Sequence, residues 1–327
     1  MVLSRHLRGF CSPRSASGSA KTGDTLLRKV AVFTARLPRI QGPHSSFVAG
    51  RYILYVSYGC PWASRTLIVR KLKGLEDVID LAVVYYHLGE NGWEFRPEVE
   101  GCTPDPVYGA KTIKEIYLRA DPEYALRLTV PVLFDKTLGT IVNNESSEII
   151  RMLNTDLDEF VTDEHKGVTY YPENLRQDID EINEWIYHKI NNGVYKTGFA
   201  TTQEAYDENL YPLFDALDRV EKVLEGREFL VGPGKGTLTE ADIRLYTTII
   251  RFDVGYHGAF KCNLKTIRHD YPNLHRWVRN LYWNYPAFKD TTNFDHIKGG
   301  YYALKKVNPT GVIPRGPVPH ILPLDAK

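Results

Sequence analysis

The sequence predicts an α/β domain followed by an all-helical domain, and three observations carry that reading. A strand–helix–strand pattern runs from Arg51 to Tyr86, an apolar hairpin follows at 130–143, and from about residue 170 only helical periodicity remains. At 327 residues the chain is long enough for two domains of ordinary size, each with its own core.

Residues 51–56 (RYILYV) read as a strand. The next helix is expected over Trp62–Lys73, with Leu67, Val69 and Leu72 apolar and Gly74 as its stop. Residues 78–86 (VIDLAVVYY) are almost continuously apolar, as a strand buried on both faces requires. A right-handed crossover joins the two strands. Residues 87–121 are broken by glycine, proline and charge and read as a loop insertion. Val130–Asp135 and Thr140–Asn143 flank a Lys-Thr-Leu-Gly turn as a hairpin, and a helix starts at about Glu145. This order is the thioredoxin arrangement, so the fold class is an α/β thioredoxin-like N-terminal domain plus an all-α C-terminal domain. Pro131 opens a strand that belongs at the centre of the sheet, where proline removes a ladder donor. A cis Val130–Pro131 bond accounts for it.

Beyond a boundary near 155–172, Leu175, Ile179, Ile182, Ile186 and Ile190 form one helical face. Leu210, Leu213, Leu217, Val220 and Leu224 form a second, closed by Gly226. Thr239-Glu240-Ala241-Asp242 opens a third helix as a capping box, and Leu274, Trp277, Val278 and Leu281 mark another near 271–283. After residue 306 the chain is rich in proline and is expected to run extended over the surface. The domains are thus an N-terminal arm over 1–45 (disordered or transit-like), an α/β domain over 46–156, a helical domain over 170–306 and a tail over 307–327.

Hydrophobic residues make up 43% and charged residues 25%, as in soluble globular proteins. Forty-one Lys and Arg against 40 Asp and Glu leave a net charge of +1, which lacks the basic footprint of a nucleic-acid binder. No stretch of about 18 apolar residues suggests a membrane span. The first 23 residues hold Arg5, Arg8, Arg14 and Lys21, several serines and no acid, a composition shared by mitochondrial transit peptides and by plain basic tails. The expected location is the cytoplasm, with the mitochondrion as the alternative. Several of the 21 tyrosines and 5 tryptophans sit in loops, where a flat aromatic ligand could be held.

The four cysteines, Cys11, Cys60, Cys102 and Cys262, are too far apart for a metal site or a dense disulfide framework. Cys60 stands out in Tyr58-Gly59-Cys60-Pro61-Trp62-Ala63. A cysteine between a strand and the mouth of a helix has its sulfur beside unpaired N–H groups, and these together with the helix dipole favour the thiolate. Pro61 suits the first helical position. Trp62-Ala63 replaces the second cysteine of a C-x-x-C pair, so an oxidised Cys60 needs an external thiol, for which glutathione is the obvious candidate. The other three cysteines read as buried small hydrophobes or simply exposed ones.

Gly50-Arg51-Tyr52, the Cys60 motif, Gly92-Trp93-Glu94-Phe95, Arg127 through Leu133, Asn144-Glu145-Ser146, Tyr195 through Ala200, Phe260-Lys261-Cys262-Asn263, His275-Arg276-Trp277 and Asn308-Pro309-Thr310 occur in that order. Taken together they resemble the glutathionyl-hydroquinone reductases, the Xi class of glutathione transferases, over about residues 50–319. The resemblance implies glutathione as co-substrate, no metal, and reduction of glutathionyl-hydroquinones to hydroquinones through a Cys60–glutathione mixed disulfide. It further implies that Trp93, Arg127, Leu128, Thr129 and Val130 contact glutathione. Val130 would offer main-chain bonds, and Glu145 and Ser146 would take the γ-glutamyl end. Tyr195 is implied as proton donor, with Tyr256 and Tyr301 supporting the thiolate or the quinol. Tyr302 is adjacent, so the choice between the two neighbours stays open. Gly300 stands where the family often has a bulkier polar residue, which is expected to loosen the quinol pocket. A homodimer is implied as well. An omega-like thiol transferase or dehydroascorbate reductase would share Cys60 without needing the tyrosines, and a polyphenol-binding protein would not need the thiol.

Overall fold

The computed structural model describes residues 33–37, 49–89 and 91–326. Cys11 and the basic segment of residues 1–23 lie outside the described residues. Residues 33–37, assigned from sequence to the loose arm, run along the sheet: Ala35 N donates to Val142 O at 3.1 Å, and Leu37 is buried.

Four strands, β1 (Tyr52–Val56), β2 (Ile79–Val83), β3 (Val132–Asp135) and β4 (Thr140–Asn143), form one sheet in the order β2-β1-β3-β4. β1 pairs parallel with β2, Tyr52 opposite Ile79, and antiparallel with β3, Tyr52 opposite Asp135. All five residues of β1 are buried, which is why that strand has no polar position. β2 is shorter than its apolar run suggests. Val84 N still reaches Val56 O at 2.8 Å, but Tyr85 N turns to Glu94 O at 2.8 Å and draws the chain out of the ladder. The Val130–Pro131 bond is cis, as expected.

Helix α1 (Pro61–Leu72) starts one residue earlier than the apolar pattern indicates, because Pro61 occupies the first turn and Cys60 is the N-cap. It lies between the sheet and the helical domain and is buried from Pro61 through Val69. The expected loop over 87–121 holds a helix, α2 (Ile113–Ala120). Glu115 Oε1 accepts from Thr112 N at 3.0 Å, closing a capping box. Its eight residues show only Ile113, Ile116 and Tyr117 buried, too short a pattern to stand out among charges. Helix α3 (Ser146–Thr155) follows β4, with Glu145 as its N-cap.

The helical domain does not continue the straight stripe expected over Leu175–Ile190. Helix α4 (Arg176–Ile186) passes into a wide π turn (Tyr187–Asn191) and then α5 (Gly193–Gly198). Helices α6 (Gln203–Val223) and α7 (Glu240–Ile249) follow, and a second π turn (Phe252–Tyr256) leads into α8 (His257–Ala259). A π turn inserts a residue and rotates the side chains after it, and such turns concentrate at functional sites. The capping box of α7 is present, and its Asp242 also accepts from Leu230 N and Trp277 Nε1, both at 3.0 Å, within the core. Short helices α9 (Ile267–Asp270) and α11 (Pro286–Lys289) flank α10 (Pro272–Asn284), and α12 (Phe294–Tyr302) closes the domain. The proline-rich tail lies across these helices. Lys298 Nζ donates to Arg315 O at 2.8 Å and Trp283 Nε1 to Leu322 O at 2.8 Å. No helix of the described residues is long and apolar enough to cross a membrane.

Candidate active site

Cys60 caps α1 with extended backbone (φ −83°, ψ 118°), and its half-exposed thiol donates to the carbonyl of Val130 at 3.5 Å. The turn before it is closed by Cys60 N donating to Ser57 O at 3.0 Å. Strand end, helix mouth and the cis-proline segment therefore converge on one sulfur. The other two described cysteines differ. Burial pushes the Cys102 thiol up to about 11 and raises the fully buried Cys262 further still.

A cavity of about 1630 Å³ opens over Cys60 between the two domains. Of the residues singled out in sequence, Trp93, Arg127, Leu128, Thr129 and Val130 line it on the α/β side, and Tyr195 and Tyr301 on the helical side. Three do not line it: Glu145, Ser146 and Tyr256. Glu145 acts as a helix cap, its carboxylate accepting from Ser147 N at 3.1 Å and from the Ser146 hydroxyl at 3.3 Å. Ser146 is fully buried, and Arg65 donates to its hydroxyl at 3.5 Å.

The missed helix α2 and the turn after it support the Arg127–Val130 segment. The Tyr117 hydroxyl donates to Thr129 O at 3.0 Å and accepts from Asn144 Nδ2 at 2.9 Å, while the Tyr124 hydroxyl donates to Arg127 O at 2.8 Å. Removing the hydroxyl with Tyr117→Phe should cost about 1 kcal/mol of stability. If the segment binds glutathione, the same change should raise KM for glutathione several-fold while kcat holds. Urea unfolding and steady-state kinetics check both.

Tyr256, Tyr301 and Tyr195 form a chain of phenols, with hydroxyl separations of 2.7 Å between Tyr256 and Tyr301 and 2.9 Å between Tyr301 and Tyr195. Burial pushes all three well above the ordinary tyrosine range, and Tyr195 is raised further by neighbouring Tyr301 and by the charge of Cys60. The chain is therefore a set of protonated donors at physiological pH. Tyr301, not Tyr302, belongs to it: the Tyr302 hydroxyl turns to Gly258, where an added Cβ would lie only 2.1 Å away.

Gly300 does not loosen this wall. A Cβ there would meet the Tyr86 carbonyl at 3.1 Å, and one at Gly299 would meet the Tyr86 ring at 2.4 Å, so the two glycines bring α12 hard against the cavity-lining Tyr86. Gly299→Ala should therefore cost about 1–2 kcal/mol by overpacking, visible as a lower urea midpoint with an unchanged slope.

The sequence reading also missed Arg251. This buried side chain, at the junction of α7 and the second π turn, donates to Tyr58 O at 2.8 Å, Gly59 O at 3.4 Å, Ser64 Oγ at 3.0 Å and Thr247 O at 2.8 Å. It ties the turn that carries Cys60 to the helical domain.

Residues 59–156 match the family model "Glutathione S-transferase, N-terminal domain" and residues 203–280 match "Glutathione S-transferase, C-terminal domain". The crystal structure of the glutathione S-transferase Xi from Phanerochaete chrysosporium is 54% identical, covers 91% of this chain and 99% of its own, and superposes with a TM-score of 0.87. "Glutathionyl-hydroquinone reductase PcpF" of Sphingobium chlorophenolicum is 51% identical over 269 residues, 82% of this chain and 83% of its own. The chain belongs to the Xi class of glutathione transferases. "Glutathione S-transferase omega-like 2" of Schizosaccharomyces pombe is likewise 51% identical, over 309 residues, 93% of this chain and 96% of its own. As in its Xi-class relatives, the mixed sheet is followed by an all-α domain, and the fold class expected from sequence holds. Among the described residues no cluster of His, Cys, Asp and Glu could hold a metal ion.

Proposed function

We propose that this Xi-class transferase reduces glutathionyl-hydroquinones to hydroquinones with glutathione. Cys60 attacks the thioether sulfur, the carbon–sulfur bond breaks, and its electron pair stays with the ring, whose carbon takes a proton. That step leaves hydroquinone and a Cys60–glutathione mixed disulfide. A second glutathione thiolate then attacks the glutathione sulfur, releasing glutathione disulfide and the Cys60 thiolate. The two steps sum to glutathionyl-hydroquinone plus glutathione giving hydroquinone plus glutathione disulfide.

The observation that carries this reading is the sharing of one cavity by the Cys60 thiol and the Tyr195–Tyr301 pair, a nucleophile facing neutral donors. Residues 46–156 would hold glutathione through Trp93, Arg127, Leu128, Thr129 and the Val130 backbone. The resemblance assigns the γ-glutamyl end to the helix cap at Glu145 and Ser146, which lies outside the cavity lining. Residues 170–306 would supply the quinol side, with Tyr195 as proton donor and Tyr256 and Tyr301 behind it. Mass spectrometry of enzyme mixed with glutathionyl-menadiol and no free glutathione should find one glutathione on Cys60. An unmodified Cys60 after product has formed would sink the mixed-disulfide route.

The name of the fission-yeast relative keeps an omega-like thiol transferase in view. Such an enzyme would reduce hydroxyethyl disulfide at least as fast as glutathionyl-menadiol and would tolerate loss of the tyrosine hydroxyls. The resemblance also supports a homodimer, which light scattering checks. Cytoplasmic residence is our reading, and a reporter fused to residues 1–23 that entered mitochondria would replace it.

A further inference from the structure

Arg251 is a buried cation whose four hydrogen bonds all go to neutral acceptors. Among the described residues no carboxylate forms an ion pair with it. Holding a charge in the protein interior is costly unless neighbouring groups compensate it. Two things lie within its reach. One is the Tyr58–Gly59 turn that leads into Cys60, whose carbonyls it binds. The other is the inner end of the phenol chain. Arg251 caps the π turn that ends at Tyr256, whose N donates to Arg251 O at 3.3 Å, and the Tyr301 ring packs over Gly255 of the same turn. Burial dominates the acidity of Tyr256 and Tyr301, yet the Arg251 charge pulls both back toward ionisation, and the main influences on Tyr195 do not include it.

A chain of three hydroxyls can be threaded in either direction. Run one way, Tyr195 gives its proton to Tyr301 and offers the cavity only a lone pair. Run the other way, Tyr256 donates to Tyr301, Tyr301 donates to Tyr195, and the Tyr195 proton is left for the cavity. A positive charge at the Tyr256–Tyr301 end turns hydroxyl oxygens toward itself and protons away, an effect that is strong where the effective dielectric is low.

We propose that Arg251 is a positioning residue that holds the Cys60 turn against the helical domain and directs the phenol chain outward, so that Tyr195 donates into the cavity. The inference rests on the glutathionyl-hydroquinone reading above, in which Tyr195 supplies the ring proton.

The test is a double-mutant cycle in the full-length enzyme with glutathionyl-menadiol as substrate. Arg251→Gln removes the charge and keeps a hydrogen-bonding side chain, while Arg251→Lys keeps the charge and loses the fork. Arg251→Gln should lower kcat about tenfold or more with KM within a factor of about two, and Arg251→Lys should recover most of that loss. Adding Tyr195→Phe to Arg251→Gln should cost little more, because the donor is already misdirected. Fully additive losses, or a Lys variant as impaired as the Gln variant, would overturn the proposal and leave Arg251 a structural brace. If Arg251→Gln does not fold, Arg251→Lys is carried through the same cycle. It keeps the charge, so adding Tyr195→Phe on that background should cost nearly as much as it does in the unsubstituted enzyme, and a small added cost there overturns the proposal equally. Should Tyr195→Phe alone cost nothing in the otherwise unchanged enzyme, the underlying reading of Tyr195 fails, a result distinct from either outcome above.

Discussion

Cys60→Ser should abolish turnover of glutathionyl-hydroquinones, with a loss on the order of 10³-fold or more in kcat. The substitution keeps the helix cap, since a serine at the mouth of α1 is at least as good an N-cap as cysteine. What it removes is the sulfur. A serine oxygen at this position is a poor nucleophile toward a thioether sulfur and cannot form a disulfide that a second glutathione could resolve. Substrate binding should persist, because the Arg127–Val130 segment is held by Tyr117 and Tyr124 and not by the thiol. The glutathione adduct should also disappear from the mass spectrum. Cys102→Ser serves as the control and should leave turnover intact, because burial keeps that thiol protonated, pushed up to about 11. Retention of turnover within tenfold by Cys60→Ser would remove Cys60 from the mechanism.

Cys60 is legible in the sequence because everything that marks it is local: a preceding strand, a proline at the first helical position and an apolar helix beyond. The central strands are legible for a related reason, since burial on both faces leaves no polar residue in Tyr52–Val56. Helix α2 escapes because two turns with three buried residues give too little periodicity, although Thr112 and Glu115 stand at capping-box spacing. The stripe from Leu175 to Ile190 reads as one helix because apolar spacing does not register the residue that the π turn at Tyr187–Asn191 inserts. The tyrosines enter only through family resemblance. Tyr195 and Tyr301 are 106 positions apart, and nothing around either residue announces the other. Arg251 is the extreme case. Its partners Tyr58 and Gly59 lie 193 and 192 positions away, and an arginine among Ile249, Ile250 and Phe252 carries no pattern that separates a buried brace from an exposed charge.

Tyr195→Phe should lower kcat about 10²-fold, in the range that a positioned general acid contributes, while KM for glutathione stays within a factor of about three. The ring is retained, and with it the packing against Phe199 and Phe260 at centroid distances of 6.3 and 5.3 Å, so the cavity wall should keep its shape. Only the hydroxyl is lost, and burial holds that hydroxyl protonated over the whole working range of pH. The two half-reactions separate the chemical role from a general disturbance. Breaking the carbon–sulfur bond requires a proton at the ring, whereas resolution of the mixed disulfide by glutathione moves none to carbon. Tyr195→Phe should therefore slow formation of the Cys60–glutathione adduct in single-turnover experiments and leave its decay with added glutathione near the unsubstituted rate. Equal slowing of both steps would instead mean that the substitution disturbs the thiol, and an unchanged first step would end the assignment of Tyr195 as donor. Tyr301→Phe should fall between these limits, because it cuts the link to Tyr256 but leaves Tyr195 its own proton.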